Sequence, residues 1–331
     1  MKKLFNIVFD LQLFAGAPNT QTTGADGLSA EMKVFYSDYL IDNAVPKLVH
    51  DQFGQKHPIP KNGGKTIEFR KYSPLPKLLT PLTEGVTPDG QALSVSTITA
   101  TVAQYGGYVT LSDVLMLTAI DNNLMQATKL LGNQAGATLD TITREVLVGG
   151  TNVIYSGGVA SRTALTAAHT LSVDDIMKAV RALKNQNAEK IDNSFVAIIH
   201  PDVAYDLMHD EMWEAVKSYA DPDDWYEGEI GRIAGCRFVE TTEAKIWAGA
   251  GSGGQAVYAT LVLGDNAYGI TEITGGGLEH IVKQLGSAGT ADPINQRATV
   301  GWKATKVAER LVEQFMVRIE SGCTFNPTEG N

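Results

Sequence analysis

Cysteine is nearly absent from this sequence: its 331 residues include two, Cys236 and Cys323. They stand far apart and in no metal-ligand spacing. That leaves no disulfide framework and no zinc site of the paired-cysteine type, and free thiols in a reducing, cytosolic setting are expected. Long apolar runs are missing as well. No stretch approaches the ~20 residues needed to span a bilayer, so no membrane partner is expected. Positive charge is in deficit, with 27 lysines and arginines against 37 aspartates and glutamates, a formal net charge of -10. Such a chain repels phosphate, which argues against tight, specific nucleic-acid binding.

Catalytic signatures are scarce too. No G-x-S-x-G elbow occurs. The histidines (His50, His57, His169, His200, His209 and His280) form no H-E-x-x-H pair, and none stands at zinc spacing from a cysteine. GAGSGG at 249–254 matches G-x-G-x-x-G, but a dinucleotide site needs that pattern between a strand and a helix. Here a strand-like run follows, so a loop is expected. Gly64-Lys65-Thr66 ends like a phosphate-binding loop, yet Ile59 occupies the place of its first glycine. Asn62-Gly63-Gly64 reads instead as a turn into a strand. The acidic run around Asp221, Asp223, Asp224, Glu227 and Glu229 lacks the spacing of a calcium loop. His200 sits where a strand meets a helix, a place that enzymes use and that capping residues use more often. No catalytic residue, metal ligand or cofactor-binding residue is assigned, and no cofactor is expected.

What is present is a globular composition, 44% hydrophobic and 19% charged, in a chain long enough for more than one lobe. After Lys2 and Lys3 the chain opens on a largely apolar run to residue 14, with Phe5, Phe9 and Leu13 in it. Asn6, Asp10 and Gln12 interrupt the run, which argues against an export signal. Residues 15–30 have the composition of a flexible linker. An apolar tip on a tether suits an arm that binds a neighbour; a strand or helix docked on its own domain is the alternative. Met32, Phe35, Tyr36, Tyr39 and Leu40 then recur at helical spacing behind Ser29.

From 62 to 111 the pattern is that of two long strands. Lys65, Ile67, Phe69 and Lys71 alternate with Thr66, Glu68 and Arg70; Ile98, Ala100 and Val102 share a face. A phase-shifting bulge is expected at Gly106-Gly107. The connection between the strands carries Pro74, Pro76, Pro81 and Pro88. A two-stranded ribbon this long has too little core to stand alone, so it should lie against something, and a neighbouring subunit is the natural candidate. One long helix is predicted over 112–148, capped by Ser112. Leu117, Ile120, Leu124, Ala127, Leu131, Leu139, Ile142 and Val146 form its apolar stripe. Asp121, Asn122 and Asn123 mark a possible joint. Gly132 and Gly136 each cost roughly 1 kcal/mol against alanine, which makes them hinge candidates. Further on, Ser172 opens a helix with Ile176, Ala179, Val180 and Leu183 on its inner face. Phe195–Ile199 reads as a buried strand, and Val-rich extended segments close the chain. This order is α+β rather than doubly wound.

Charge is segregated. Residues 51–80 hold six basic side chains and two acidic ones, net +4, whereas 202–243 hold twelve acidic and three basic, net -9. One reading is chance plus solubility; the sharper one is complementarity between copies, in which Lys65, Arg70, Lys71 and Lys77 of one ribbon would meet acidic surface near Asp223 and Asp224 of another. With Phe5, Phe9 and Leu13, these are the candidate inter-subunit contacts.

The order of arm, hairpin, long helix, mixed lobe and returning strands resembles the Hong Kong 97-type coat-protein fold of tailed phages. FDLQLFAG (9–16), EIGRIAGCRFVET (229–241) and DPINQRATVGWKATKVAERLVEQFMVRIES (292–321) are similar to a branch typified by the coat protein of phage N-four. The resemblance covers nearly the whole chain. It implies an N-terminal arm with a first helix (1–50), an E-loop hairpin (51–111), a P-domain with its spine helix (112–170), an A-domain (171–290) and returning P-domain strands (291–331). It implies a major capsid protein that forms hexamers and pentamers in an icosahedral virion, assembled in the host cytoplasm. Portal, scaffolding or decoration proteins would be partners, and packaged DNA a non-specific neighbour. With no long charged helical leader in sight, scaffolding is expected to be separate or absent. An encapsulin-type compartment shares the fold and is the first alternative. A soluble enzyme with a site near His200 is the second.

Overall fold

The computed structural model describes residues 20–21, 49–72, 75–87, 89–119, 123–213, 231–274, 276–287 and 291–331. In chain order the strands are β1 (Thr20–Gln21), β2 (Gln55–Lys56), β3 (Thr66–Tyr72), β4 (Val95–Thr101), β5 (Ala103–Ser112), β6 (Val153–Tyr155), β7 (Phe195–Ile199), β8 (Arg232–Ile233), β9 (Cys236–Glu240), β10 (Ile246–Trp247), β11 (Val257–Leu263), β12 (Tyr268–Thr271), β13 (Glu279–Lys283), β14 (Arg297–Arg310) and β15 (Met316–Ser321). The helices are α1 (Asp113–Thr118), α2 (Asn123–Val148), α3 (Val173–Asn185) and α4 (Pro201–Met208). The chain divides into two compact units. One comprises Met1–Ala44, Gly106–Ala135 and Leu278–Lys303; the other comprises Val45–Tyr105, Gly136–Gly277 and Ala304–Asn331.

The larger unit is built on a sheet of order β6-β15-β11-β7-β9-β8, with β10 beside β11. Strand β7 shows why it folds. Its five residues are all buried. Phe195, Ala197 and Ile199 join a core with Ile176, Val180 and Leu183 of α3 and Val203 and Leu207 of α4. Val196 and Ile198 point the other way, into a core with Leu147 and Val148 at the end of α2. A continuous apolar run is the mark of a strand covered on both faces, since successive side chains alternate sides. Helix α3 starts where the sequence indicates: the Ser172 hydroxyl accepts from the Asp175 amide at 3.3 Å. Its face of Ile176, Ala179, Val180 and Leu183 is buried. Full burial of each of the larger three is worth roughly 1.5–3 kcal/mol.

In the smaller unit, β13 pairs antiparallel with β14, from Glu279 opposite Lys303 to Lys283 opposite Thr299. Strand β5 borders β14 on its other side, and β1 runs parallel to β5. Two expectations change here. Burial alternates without a break through Tyr105, Gly107 and Val109, so Gly106-Gly107 causes no shift of phase. The interruption falls at Val102, between β4 and β5. Glycine is needed at 106 for another reason: a Cβ there would stand 2.7 Å from the Trp302 carbonyl oxygen. The long helix divides into α1 and α2 at the joint that the sequence allowed around residues 121–123. Ser112 caps α1 as expected, accepting from the Leu115 amide at 3.2 Å. Ala119 then turns to extended backbone, and α2 begins at Asn123. Leu117, placed on the apolar stripe, is 83% exposed.

Candidate assembly surfaces

The hairpin of β3 and β4 keeps its register from Thr66 opposite Thr101 to Tyr72 opposite Val95. Within the larger unit it touches down through one face of β3. Ile67, Phe69 and Lys71 are half-buried while their neighbours are exposed, as the alternation requires. The Phe69 ring sits against Gly269, where a Cβ would come within 3.1 Å of it; the absence of a side chain admits the ring. His57 meets Phe69 edge-on, with centroids 5.6 Å apart, and its Nε2 lies 3.0 Å from Gln55 Oε1. A cleft of about 440 Å³ opens beside this contact, lined by Gln55, His57, Phe69, Arg70, Asn266 and Leu311 among others.

On β4, Ile98 is half-buried and Ala100 buried, but the described residues of the connection between the strands are bare. Between the strands, Leu75, Leu78, Leu79, Leu82, Val86 and Leu93 are 51–86% exposed. Their concentration on one connection is unusual, because soluble monomers seldom leave many large apolar side chains together in water. The prolines drew notice in the sequence; the leucines between them are what the structure brings forward. Of the basic candidates, Lys65, Arg70 and Lys77 are exposed and Lys71 is half-buried. Arg70 bridges Glu68 at 3.2 Å with both side chains in solvent, a contact worth little. Phe5, Phe9, Leu13, Asp223 and Asp224 lie outside the described residues, as do Asp121 and Asn122. Asn123 is buried at the start of α2; Gly132 is exposed and Gly136 half-buried within it.

A second feature was not legible in the sequence. The inner face of the last turns of α2 is mixed: Asp140, Thr143 and Arg144 are buried beside Leu139 and Leu147, while Ile142 and Val146 of the expected stripe are only partly covered. Asp140 Oδ1 accepts the His50 amide at 2.8 Å, and Oδ2 lies 2.6 Å from His50 Nδ1. Thr143 donates to Asp51 at 2.6 Å. Lys306, on β14, donates to both oxygens of Asp51 and to the Leu139 carbonyl. Burial pushes the Lys306 amine below its usual range, against the pull of Asp51. Tyr268 donates to the His50 carbonyl. The group ties the segment at 50–51 and strand β14 to the helix. A buried charged set of this kind fixes geometry more than it adds stability. Elsewhere in the larger unit, Arg162 grips the fully buried Glu320 with two contacts of 2.7 Å and lies 3.6 Å from the Trp247 ring centre.

The chemistry around His200 is that of a cap. Its Nδ1 accepts from the Asp202 amide at 3.1 Å at the head of α4. Burial lowers its pKa, opposed by the Asp202 charge. Asp202 in turn accepts from the Tyr258 hydroxyl at 2.7 Å. The Cys236 thiol is fully buried on β9, and burial pushes its pKa up to about 12, which keeps it protonated at neutral pH. GAGSGG forms a turn and leads into β11, not into a helix. Among the described residues no three histidine, cysteine, aspartate or glutamate side chains gather as a metal site, and no helix is long and apolar enough to cross a membrane.

A family model described as phage capsid protein matches residues 95–308, which is more than half of the chain. The chain belongs to the phage capsid protein family. Solved capsids have the same α+β fold. The capsid of cyanophage P-SCSP1u is 13% identical with a TM-score of 0.68, over 91% of this chain and 95% of that one. The capsid of Ralstonia phage GP4 is 15% identical with a TM-score of 0.68, over 93% and 99%. The mature capsid of bacteriophage PhiM1 is 13% identical with a TM-score of 0.64, over 87% and 91%. No curated protein matches the chain. As a capsid protein it is a structural component of the virion, and its family is one of shell builders rather than catalysts.

Proposed function

We propose that this capsid protein is the major shell subunit of a tailed-phage head, assembling as hexamers and pentamers around packaged double-stranded DNA. The observation that carries the reading is the exposed apolar connection of the hairpin. It is costly in a free monomer and useful once it lies on a sister subunit. In this reading 51–111 is the E-loop, 112–170 and 291–331 form the P-domain around a spine helix in two pieces, and 171–290 is the A-domain. Lys65, Arg70, Lys71 and Lys77 steer the ribbon toward acidic surface around Asp223 and Asp224 of the next copy, and Phe5, Phe9 and Leu13 anchor the arm. Many weak contacts repeated around closed rings add up to a strong container. An acidic subunit stays loose from the DNA it encloses. Portal, scaffolding or decoration proteins complete the head, and assembly takes place in the host cytoplasm.

Negative-stain microscopy of the full chain tests this. Shells, rings or tubes are expected, and they should weaken as salt rises toward 1 M, where the Debye length falls to about 3 Å. A monomer that persists at high concentration refutes the reading; shells indifferent to salt refute the charge-steering part alone. A compartment of the encapsulin type would instead co-purify with a protein cargo and no DNA. Against the enzyme alternative, the Nδ1 of His200 caps its own helix.

A further inference from the structure

Strand β13 lies at the margin of its sheet. One side carries the ladder to β14. The other side has no strand partner among the described residues. Four of its five residues are exposed. Ile281 is 36% and Val282 41% accessible, and they stand on opposite faces of the strand. Natural sheets blunt such margins with proline, bulges or a charge in the middle of the strand. Strand β13 has none of these. Its register with β14 is regular, and its two formal charges sit at its two ends, Glu279 and Lys283.

The sequence EHIVK also supplies a register. Laid antiparallel on itself about Ile281, it sets Glu279 opposite Lys283 of a second copy, twice, and His280 opposite Val282, twice. Laid parallel and in register, it sets Glu279 on Glu279 and Lys283 on Lys283. Opposite charges across a strand pair attract and like charges repel. The contact of Glu279 with Lys303 of its own chain, at 2.9 Å, uses one carboxylate oxygen and leaves the other for the incoming lysine. We propose that β13 pairs antiparallel with β13 of a second copy about a two-fold axis through Ile281, joining two sheets into one. This rests on the reading of the chain as a self-assembling capsid protein, which does not itself require this edge.

Cysteine crosslinking in the full chain tests it. Directly opposed residues on antiparallel strands have Cα atoms about 4.5–5.5 Å apart, within disulfide reach. Under a mild oxidant, Ile281→Cys shells should give a covalent dimer on non-reducing gels. Val282→Cys alone should give far less, because its opposite number is residue 280; mixed with His280→Cys subunits it should crosslink. Adding Lys283→Glu to Ile281→Cys sets glutamate against glutamate at both ends and should lower the dimer yield by up to about tenfold. Shells that form while Ile281→Cys crosslinks no better than Val282→Cys overturn the pairing and leave the capsid reading standing. Failure to form either shells or the dimer, even in concentrated solution, overturns both. A dimer in solution without shells supports the pairing.

Discussion

The exposed leucines of the hairpin allow the sharpest test. Leu78, Leu79 and Leu82 are 78%, 86% and 75% accessible, so replacing all three by serine removes almost nothing that the folded chain itself uses. Surface substitutions of this kind change stability by about 0.5 kcal/mol or less each, and the thermal midpoint should hold to within a few degrees. Assembly should respond very differently. Covering a leucine is worth roughly 1.5–3 kcal/mol, and three together give on the order of 4–9 kcal/mol at each tip contact. If only a third of that survives the cost of ordering the loop, the loss is still about 2 kcal/mol, a thirtyfold weakening of each contact, repeated at every subunit. The variant should therefore stay monomeric, or in small rings, at concentrations where the parent forms shells. Light scattering against concentration, with calorimetry beside it, separates the two effects. Shells forming at the parent's concentration would refute the argument. So would a large fall in the thermal midpoint, because it would mean that the leucines serve their own chain.

Three more outcomes follow. Asp140→Ala leaves a buried amide and a buried imidazole without their acceptor, so chemical unfolding should show a loss of about 3 kcal/mol or more. Gly132→Ala meets open space, with nothing within 4 Å of the new Cβ; it should stabilise by about 1 kcal/mol, and the Gly132→Ala, Gly136→Ala pair should slow shell expansion, with normal expansion counting against a hinge there. The Cys236 thiol is raised from 9.0 to about 12 by burial, so the folded chain holds a proton that the unfolded chain releases above pH 9. Its stabilising effect is complete below pH 9 and is lost as pH climbs toward 12, by about 1.4 kcal/mol per pH unit; Cys236→Ala should flatten that part of an alkaline stability profile.

Local patterns carried much of the fold. Alternation at Thr66–Tyr72 and Val95–Thr101 gave the hairpin, because a strand half in water must alternate. Ser172 and Ser112 gave helix starts, because a side-chain oxygen at that place satisfies an amide that the helix leaves free. The run at Phe195–Ile199 gave a strand covered on both faces. These are properties of a few adjacent residues, and they survive without knowledge of the rest of the chain.

Other features depended on partners distant in sequence. The spacing of Ile142 and Val146 promised an apolar face on α2, yet both are only partly covered, and Asp140, Thr143 and Arg144 are buried beside Leu139 and Leu147. That choice was made by His50, Asp51 and Lys306, which are about 90 or more residues away and compensate buried charge only once folded. Gly106 looked like a bulge because nothing local announces the Trp302 carbonyl. Leu117 looked like core because periodicity cannot tell an inner face from one left open to water. The sequence by itself determined which segments become strands and helices, through pattern and capping. The tertiary structure alone decided which faces are covered and which stay bare, because burial is a relation between distant segments.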